Sequence, residues 1–280
     1  MKKQYTAEEK KAYFAEQKKA VDEALIDGVK HCYTTENFKA YLDTMRKFHD
    51  YSINNCMLIS RQMPEATLIA GFNDWKRKFK RSVKKGEKGI KILAPVPCKF
   101  TAKDTDENGN EVERQVEYMR FKVVSVFDYS QTDGEEIPSI CNELKGEVKD
   151  YDDIIASLIG VANVPVTFAE VDKGNGYFSP LDGKIVVKDG MSQVQTVKTL
   201  VHEIAHSILH ADVFCEIPKN IKEMQAESVA YMVCSELGID TSDYSFEYVA
   251  SWAHQDMKAL QEQMTIVRKT ADRITESLKN

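Results

Sequence analysis

An α+β fold in two domains is what this sequence predicts: an N-terminal α+β domain, then a mainly helical C-terminal domain with a small antiparallel sheet. The first reason is charge. Residues 1–100 carry 21 Lys+Arg against 12 Asp+Glu, whereas the remaining residues carry 17 against 32, an asymmetry expected of two parts with different partners. The second is pattern, because segments of helical period alternate with short β-rich runs in both halves. The third is length, since 280 residues suffice for two separate cores. The expected bounds are 1–135, a Gly-, Pro- and acid-containing linker over 136–150, and 151–280.

Along the front half, Thr6–Gly28 has helical composition, and Phe38, Tyr41, Leu42, Met45 and Phe48 recur at three- and four-residue steps over Asn37–Tyr51. Ile53–Gln62 reads as a third helix that stops before Pro64, and Asn73–Arg81 as a short fourth. Lys91–Val96 and Arg120–Phe127 are β-branched and aromatic, with the polar turn Asp104–Asn110 between them, so they are expected to form a hairpin. In the back half, a helix over Asp152–Val161 precedes an extended Val164–Glu170 and a hairpin over Gly176–Lys188 that turns at Asp182-Gly183. Helices over Ser192–His210, Lys219–Leu237 and Ser245–Leu278 complete the chain.

Composition removes some function classes. No apolar run approaches the roughly 20 residues of a membrane span, and the charged start Met1–Lys10 lacks the apolar core of a secretion signal. A cytoplasmic protein without a membrane partner is expected. The six cysteines, Cys32, Cys56, Cys98, Cys141, Cys215 and Cys234, contain no CxxC pair, which argues for reduced thiols over a cysteine metal site or a disulfide framework.

The sharpest chemical signal is His202-Glu203-Ile204-Ala205-His206. It lies within a helical run of Val197, Leu200, Val201, Ile204, Ala205 and Ile208. Residues i and i+4 share a helix face, so His202 and His206 can converge on one Zn²⁺. Glu203, one step round, is placed as general base, taking a proton from the water that the cation acidifies and passing it to a leaving amine. A catalytic zinc needs a third protein ligand. Asp212 follows the second histidine by six residues, but Leu209 stands where that layout needs a glycine to turn the chain. The gluzincin-like layout takes a Glu from the next helix, where Lys222–Ala230 offers Glu223 and Glu227 one turn apart. Glu223 is expected as the ligand, with Glu227 as the acceptor that orients a ligand histidine. His210, four residues beyond His206, is expected to support the site without ligating. Tyr231 reads as a core residue, and His31, His49 and His254 as ordinary ones.

Positive charge in the front half peaks between Gly71 and Lys99. Lys80, Arg81, Lys84, Lys85 and Lys88 are candidates for phosphate contacts, and Tyr51, Phe72, Trp75 and Phe79 for base stacking. Gly86 and Gly89 let a turn bring backbone N–H groups close to a strand. The partner these features suit is single-stranded nucleic acid.

Several segments resemble the ArdC-type antirestriction family of bacterial conjugative elements. They are Tyr51-Ser52-x-x-Asn55-x-x-Leu58-Ile59, Gln62-x-Pro64-x-Ala66-Thr67, Gly71-Phe72-x-x-Trp75, Val83–Gly89 with Ile90-x-Ile92-Leu93-Ala94-Pro95, and Phe127-Asp128-x-Ser130-Gln131-Thr132. Farther on come Gly176–Pro180, the His202 motif and Glu223-x-x-Ala226-Glu227. The resemblance implies a single-stranded-DNA-binding domain joined to a zincin-like metallopeptidase domain, and it adds Asn55 to the DNA-binding candidates. It implies antirestriction in the service of a mobile element, with an unidentified protein substrate. The competing reading is a site-specific zinc metallopeptidase acting on a protein regulator. There the basic N-terminal domain binds protein rather than DNA, and the edge of Lys184–Val187 holds the substrate by strand addition.

Overall fold

In a computed structural model, residues 7–32, 34–105, 111–137, 151–214, 216–241, 243–244, 246 and 257–279 are described. Cys141, Cys215, His254, residues 106–110 of the expected hairpin turn, 138–150 of the expected linker and 247–256 of the expected last helix lie outside them. In chain order the helices are α1 (Ala7–His31), α2 (Thr35–Lys47), α3 (Ile53–Gln62), α4 (Phe72–Lys78), α5 (Tyr151–Val161), α6 (Gln193–Leu209), α7 (Lys219–Glu236) and α8 (Met257–Ser277). The strands are β1 (Ile69–Gly71), β2 (Arg81–Val83), β3 (Ile90–Thr105), β4 (Glu111–Asp128), β5 (Thr132–Gly134), β6 (Val166–Ala169), β7 (Gly176–Ser179) and β8 (Lys184–Lys188). The fold is a mixture of helices and small sheets. Among the described residues no helix is long and apolar enough to cross a membrane, and Cys32, Cys56, Cys98 and Cys234 are free thiols.

Contacts group the chain into two compact units, Met1–Ile26 with Glu65–Glu135, and Asp27–Pro64 with Glu136–Asn280. These differ from the consecutive segments expected from charge, because residues 27–64 join the C-terminal half. The reason is packing. The apolar face of α2, with Phe38, Tyr41, Leu42 and Met45 all buried, needs a partner and finds it on α7. Arg46 pairs with Glu236 at 2.9 Å, and Tyr231 donates to Asp43 at 3.2 Å. Net charge along the sequence carries no information about such contacts.

In the first unit, β3 and β4 pair antiparallel from Ile90↔Val126 to Thr105↔Glu111, a longer ribbon than the six- and eight-residue strands expected. Short β1 adds to the other side of β4. β3 is thus an edge strand, where Pro95 and Pro97 cost no ladder hydrogen bond. Trp75 of α4 is fully buried and donates from Nε1 to the Phe127 carbonyl at 2.9 Å. Gly89 lets the start of β3 cross close over β4, since a Cβ there would lie 2.8 Å from the Ser125 Cβ.

The second unit is helical around a three-stranded sheet of order β6-β8-β7. The hairpin at Asp182-Gly183 forms as its turn residues predict, Gly183 taking φ +60°. The sheet is mixed rather than antiparallel: β7 folds back on one side of β8, while β6 runs parallel to β8 on the other. Consequently β8 is paired on both sides, and the Lys184–Val187 edge expected to receive a substrate strand does not exist. Among the described residues, the strand with a free side beside α6 is β7.

Candidate metal centre

Ser192 caps α6 by accepting from the Gln195 N–H at 3.3 Å, and Val197, Leu200, Val201, Ile204 and Ala205 are fully buried. That anchoring points the remaining face, with His202 and His206, at α7. The two Nε2 atoms lie 3.1 Å apart, and Glu223 Oε2 of α7 stands 3.5 Å from the first and 3.6 Å from the second. These three ligand atoms lie within 4.8 Å of one another. A tetrahedral cation with bonds of about 2.0–2.1 Å separates its ligand atoms by about 3.3 Å, so the triangle has the size of three corners of such a site. Asp212 takes no part and instead accepts from the Phe214 N–H.

Glu227, one turn beyond Glu223, accepts from His202 Nδ1 at 3.2 Å, which holds the ring with Nε2 turned to the centre. Burial alone would depress the His202 pKa, but hydrogen bonds to Glu223 and Glu227 overcome it and raise it to about 10. The hydrogen bond from His202, with the His206 ring beside it, holds the Glu223 carboxyl well below the usual carboxylate range. Glu203 is buried, and that burial holds its carboxyl above the ordinary value despite the two adjacent imidazoles and a hydrogen bond from the Phe178 backbone. His210 is buried and lies 2.9 Å from His206, Nδ1 to Nδ1; burial lowers its pKa to about 4.

The group opens into a cleft of about 410 Å³ that also includes Tyr177, Phe178, Pro180, Lys219 and Lys222. β7 borders this cleft because Gly176 permits it. A Cβ there would lie 2.7 Å from Thr199 of α6 and 2.8 Å from the Val186 carbonyl. Phe178 is in register with Ile185, yet its N–H serves Glu203, as alternation along an antiparallel pair allows. A backbone donor carries no side-chain signature, so no residue pattern could have announced it. Tyr231 is a core residue of α7, hydrogen bonded to Asp43.

The nucleic-acid candidates are divided between the two units. Tyr51 and Asn55 fall in the second unit, whereas Trp75, Arg81, Lys84, Lys85 and Lys88 fall in the first. Tyr51 is half-buried against the Phe48 ring, and Asn55 is buried. Trp75 is corrected to a core anchor. Arg81 is likewise structural: it is buried, stacks on Tyr129 and donates to Thr132 Oγ1 and the carbonyls of Thr132, Gly134 and Glu135. Lys84, Lys85 and Lys88 are exposed on a turn whose Gly86 has φ +92°, although Lys84 also donates to the Ser130 carbonyl at 2.8 Å. Among the described side chains of this unit, the exposed large aromatics are Phe72, 59% exposed, and Phe121, 64% exposed. Phe121 had no motif to mark it.

Comparison with known proteins adds a family match that spans parts of both units. Residues 15–127 match the family described as the N-terminal domain of anti-restriction factor ArdC. An uncharacterized Bacillus anthracis protein, pXO2-81, is 27% identical over 315 aligned residues, covering 96% of this chain and 52% of that protein. The chain thus spans about half the length of the curated relative it matches. Crystal structures of the antirestriction ArdC protein of the R388 plasmid, metal-free and Mn(II)-bound, superpose with a TM-score of 0.51 at 19% identity, covering 82% of this chain and 86% of that one. At that identity the likeness is one of fold, and the Mn(II) belongs to the plasmid protein. Residues 15–127 thus match the ArdC N-terminal domain in sequence, and the wider chain resembles the R388 plasmid protein in fold.

Proposed function

We propose that this protein is an antirestriction factor of a mobile element, combining single-stranded-DNA binding by the unit that holds residues 65–135 with a zincin-like zinc peptidase in the unit that holds α6 and α7. The observation that carries the peptidase reading is the convergence of His202 Nε2, His206 Nε2 and Glu223 Oε2 beside a buried Glu203. His202, His206 and Glu223 would hold the zinc. When bound, zinc supplies a Lewis acid and acidifies water toward a pKa of about 7. Glu203, its basicity raised by burial, accepts the proton of the attacking water and returns it to the leaving amine. The Phe178 N–H aims that carboxylate. Glu227 and His210 orient the two imidazoles. An extended substrate segment pairs along the free side of β7 and is held across the cleft by main-chain hydrogen bonds.

For the DNA-binding half, the reading is supported by a basic front half and by exposed Lys84, Lys85 and Lys88. Bases stack on Phe72 and Phe121 rather than on Trp75. On one face of the ribbon the cross-strand pairs Leu93–Val123, Pro95–Phe121 and Pro97–Met119 form an apolar stripe, while Arg120 and Lys122 point to the other.

Two measurements test this. Zinc-loaded protein is expected to cleave a peptide library at defined bonds, with Glu203→Gln slower by about 10²–10⁴-fold at undiminished zinc content; equal rates would remove the general base. Affinity for a labelled single strand is expected to fall with salt. Replacing Lys84, Lys85 and Lys88 together by Gln should flatten the log–log slope by about 0.7 for each phosphate no longer neutralised. A slope of zero in the wild type would remove DNA binding.

A further inference from the structure

We propose that Gln225 and Gln263 are positioning residues of the metal centre, setting through His210 which nitrogen of His206 carries its hydrogen. The inference rests on the metal reading above and extends it to two amides that no motif singled out.

The relay runs from the outside inward. Gln225 Nε2 of α7 donates to Gln263 Oε1 of α8, which turns the Gln225 carbonyl the other way. That carbonyl oxygen lies 2.8 Å from His210 Nε2. A carbonyl only accepts, so His210 Nε2 carries a hydrogen. His210 Nδ1 in turn lies 2.9 Å from His206 Nδ1, a separation at which one nitrogen must donate and the other accept. With its hydrogen on Nε2, a neutral His210 offers a lone pair at Nδ1, and His206 donates from Nδ1. His206 Nε2 is left as a bare lone pair facing His202 Nε2 at 3.1 Å and Glu223 at 3.6 Å. That is the form a metal ligand needs.

The opposite polarity is just as well bonded and fails at the centre. If both amides were reversed, Gln225 would donate to His210 Nε2, and His210 Nδ1–H would donate to His206 Nδ1. The hydrogen of His206 would then occupy the nitrogen that has to bind the cation. Gln225 is 1% exposed and His210 3%, so water does not replace either partner, and the orientation of the amide pair decides the tautomer. His202 is held differently, by the carboxylate of Glu227 directly. One ligand histidine is therefore fixed by a charged acceptor and the other by a neutral relay of three side chains.

The test uses the full chain, ¹⁵N-labelled, with zinc as the probe. Long-range ¹H–¹⁵N correlation of the imidazoles in metal-free protein is expected to show His206 protonated at Nδ1 and His210 protonated at Nε2. Zinc affinity, measured by chelator competition, should fall about 10–100-fold in Gln225→Met. That variant should also populate the Nε2–H form of His206. Gln225→Glu restores an acceptor and should return affinity to within roughly threefold of wild type on the same scale. Wild-type His206 protonated at Nε2, or unchanged zinc affinity in Gln225→Met, overturns the relay and leaves the metal site standing. The expected tautomers in a wild type that binds no zinc would support the relay and remove the metal reading instead. Should Gln225→Met fail to fold, the wild-type tautomers and Gln225→Glu still decide.

Discussion

The α6–α7 centre and the Arg81–Gly134 region differ in what their polar side chains are for. In the centre, His202, His206, Glu203 and Glu223 converge on a cleft, and Glu227 and His210 brace the two imidazoles. Between Arg81 and Gly134, polar residues that look equally purposeful are spent on holding loops together. Asp128 accepts from the N–H groups of Thr67, Leu68 and Ser130, and Gln131 donates to Glu87 and to the Lys88 carbonyl. The difference teaches that a spaced pair of ligands declares its own geometry, whereas a cation or an aromatic ring says nothing of whether it faces solvent.

The largest effect expected from this contrast is on stability. Trp75→Ala should destabilise the first unit by about 3–5 kcal/mol, the range for emptying an aromatic core site, read from chemical denaturation. A change limited to DNA affinity, with stability intact, would return Trp75 to the stacking surface. Phe121→Ala should do the reverse, weakening single-strand binding by about 1–3 kcal/mol with the unfolding midpoint unmoved; reduced stability with unchanged affinity would make the ribbon face structural.

A smaller effect concerns acid. Burial by itself would raise the Asp128 pKa, but hydrogen bonds from Ser130, Thr67 and Leu68 outweigh it and hold the carboxyl below its ordinary value. The stabilisation this gives is complete at pH values above the unfolded-state pKa of about 4. It is lost as pH falls through the lower folded-state value. The stability gap between wild type and Asp128→Asn should therefore be widest near neutrality and narrow in acid, as followed by urea midpoints across pH; a gap independent of pH would contradict it.

Much of the centre was legible because helix geometry converts spacing into proximity. His202 and His206 at i, i+4 share a face, and Glu223 and Glu227 repeat that spacing on α7. What sequence could not supply was anything carried by backbone or by tertiary contact. The Phe178 N–H on Glu203 belongs to a strand, and Gln263 reaches the site from a helix far along the chain. Most elements were also legible from their periodicity, but β1, β2 and β5 are three residues each, too short to show a period. The pairing of β8 on both sides was equally hidden, because parallel partnership with β6 leaves no mark in either strand. Misreading Trp75 and Arg81 has one cause: a basic, aromatic segment reads as a binding surface until the bonds to Phe127 and Thr132 are seen.

The most direct test of the central claim is metal content per chain after zinc loading and desalting, compared between wild type and His206→Ala of equal helical content. About one zinc per wild-type chain, with the variant largely stripped, is the expected result for a three-ligand site. Equal zinc in the two proteins would place the metal elsewhere and leave the His202–Glu203–His206 cluster without its chemistry.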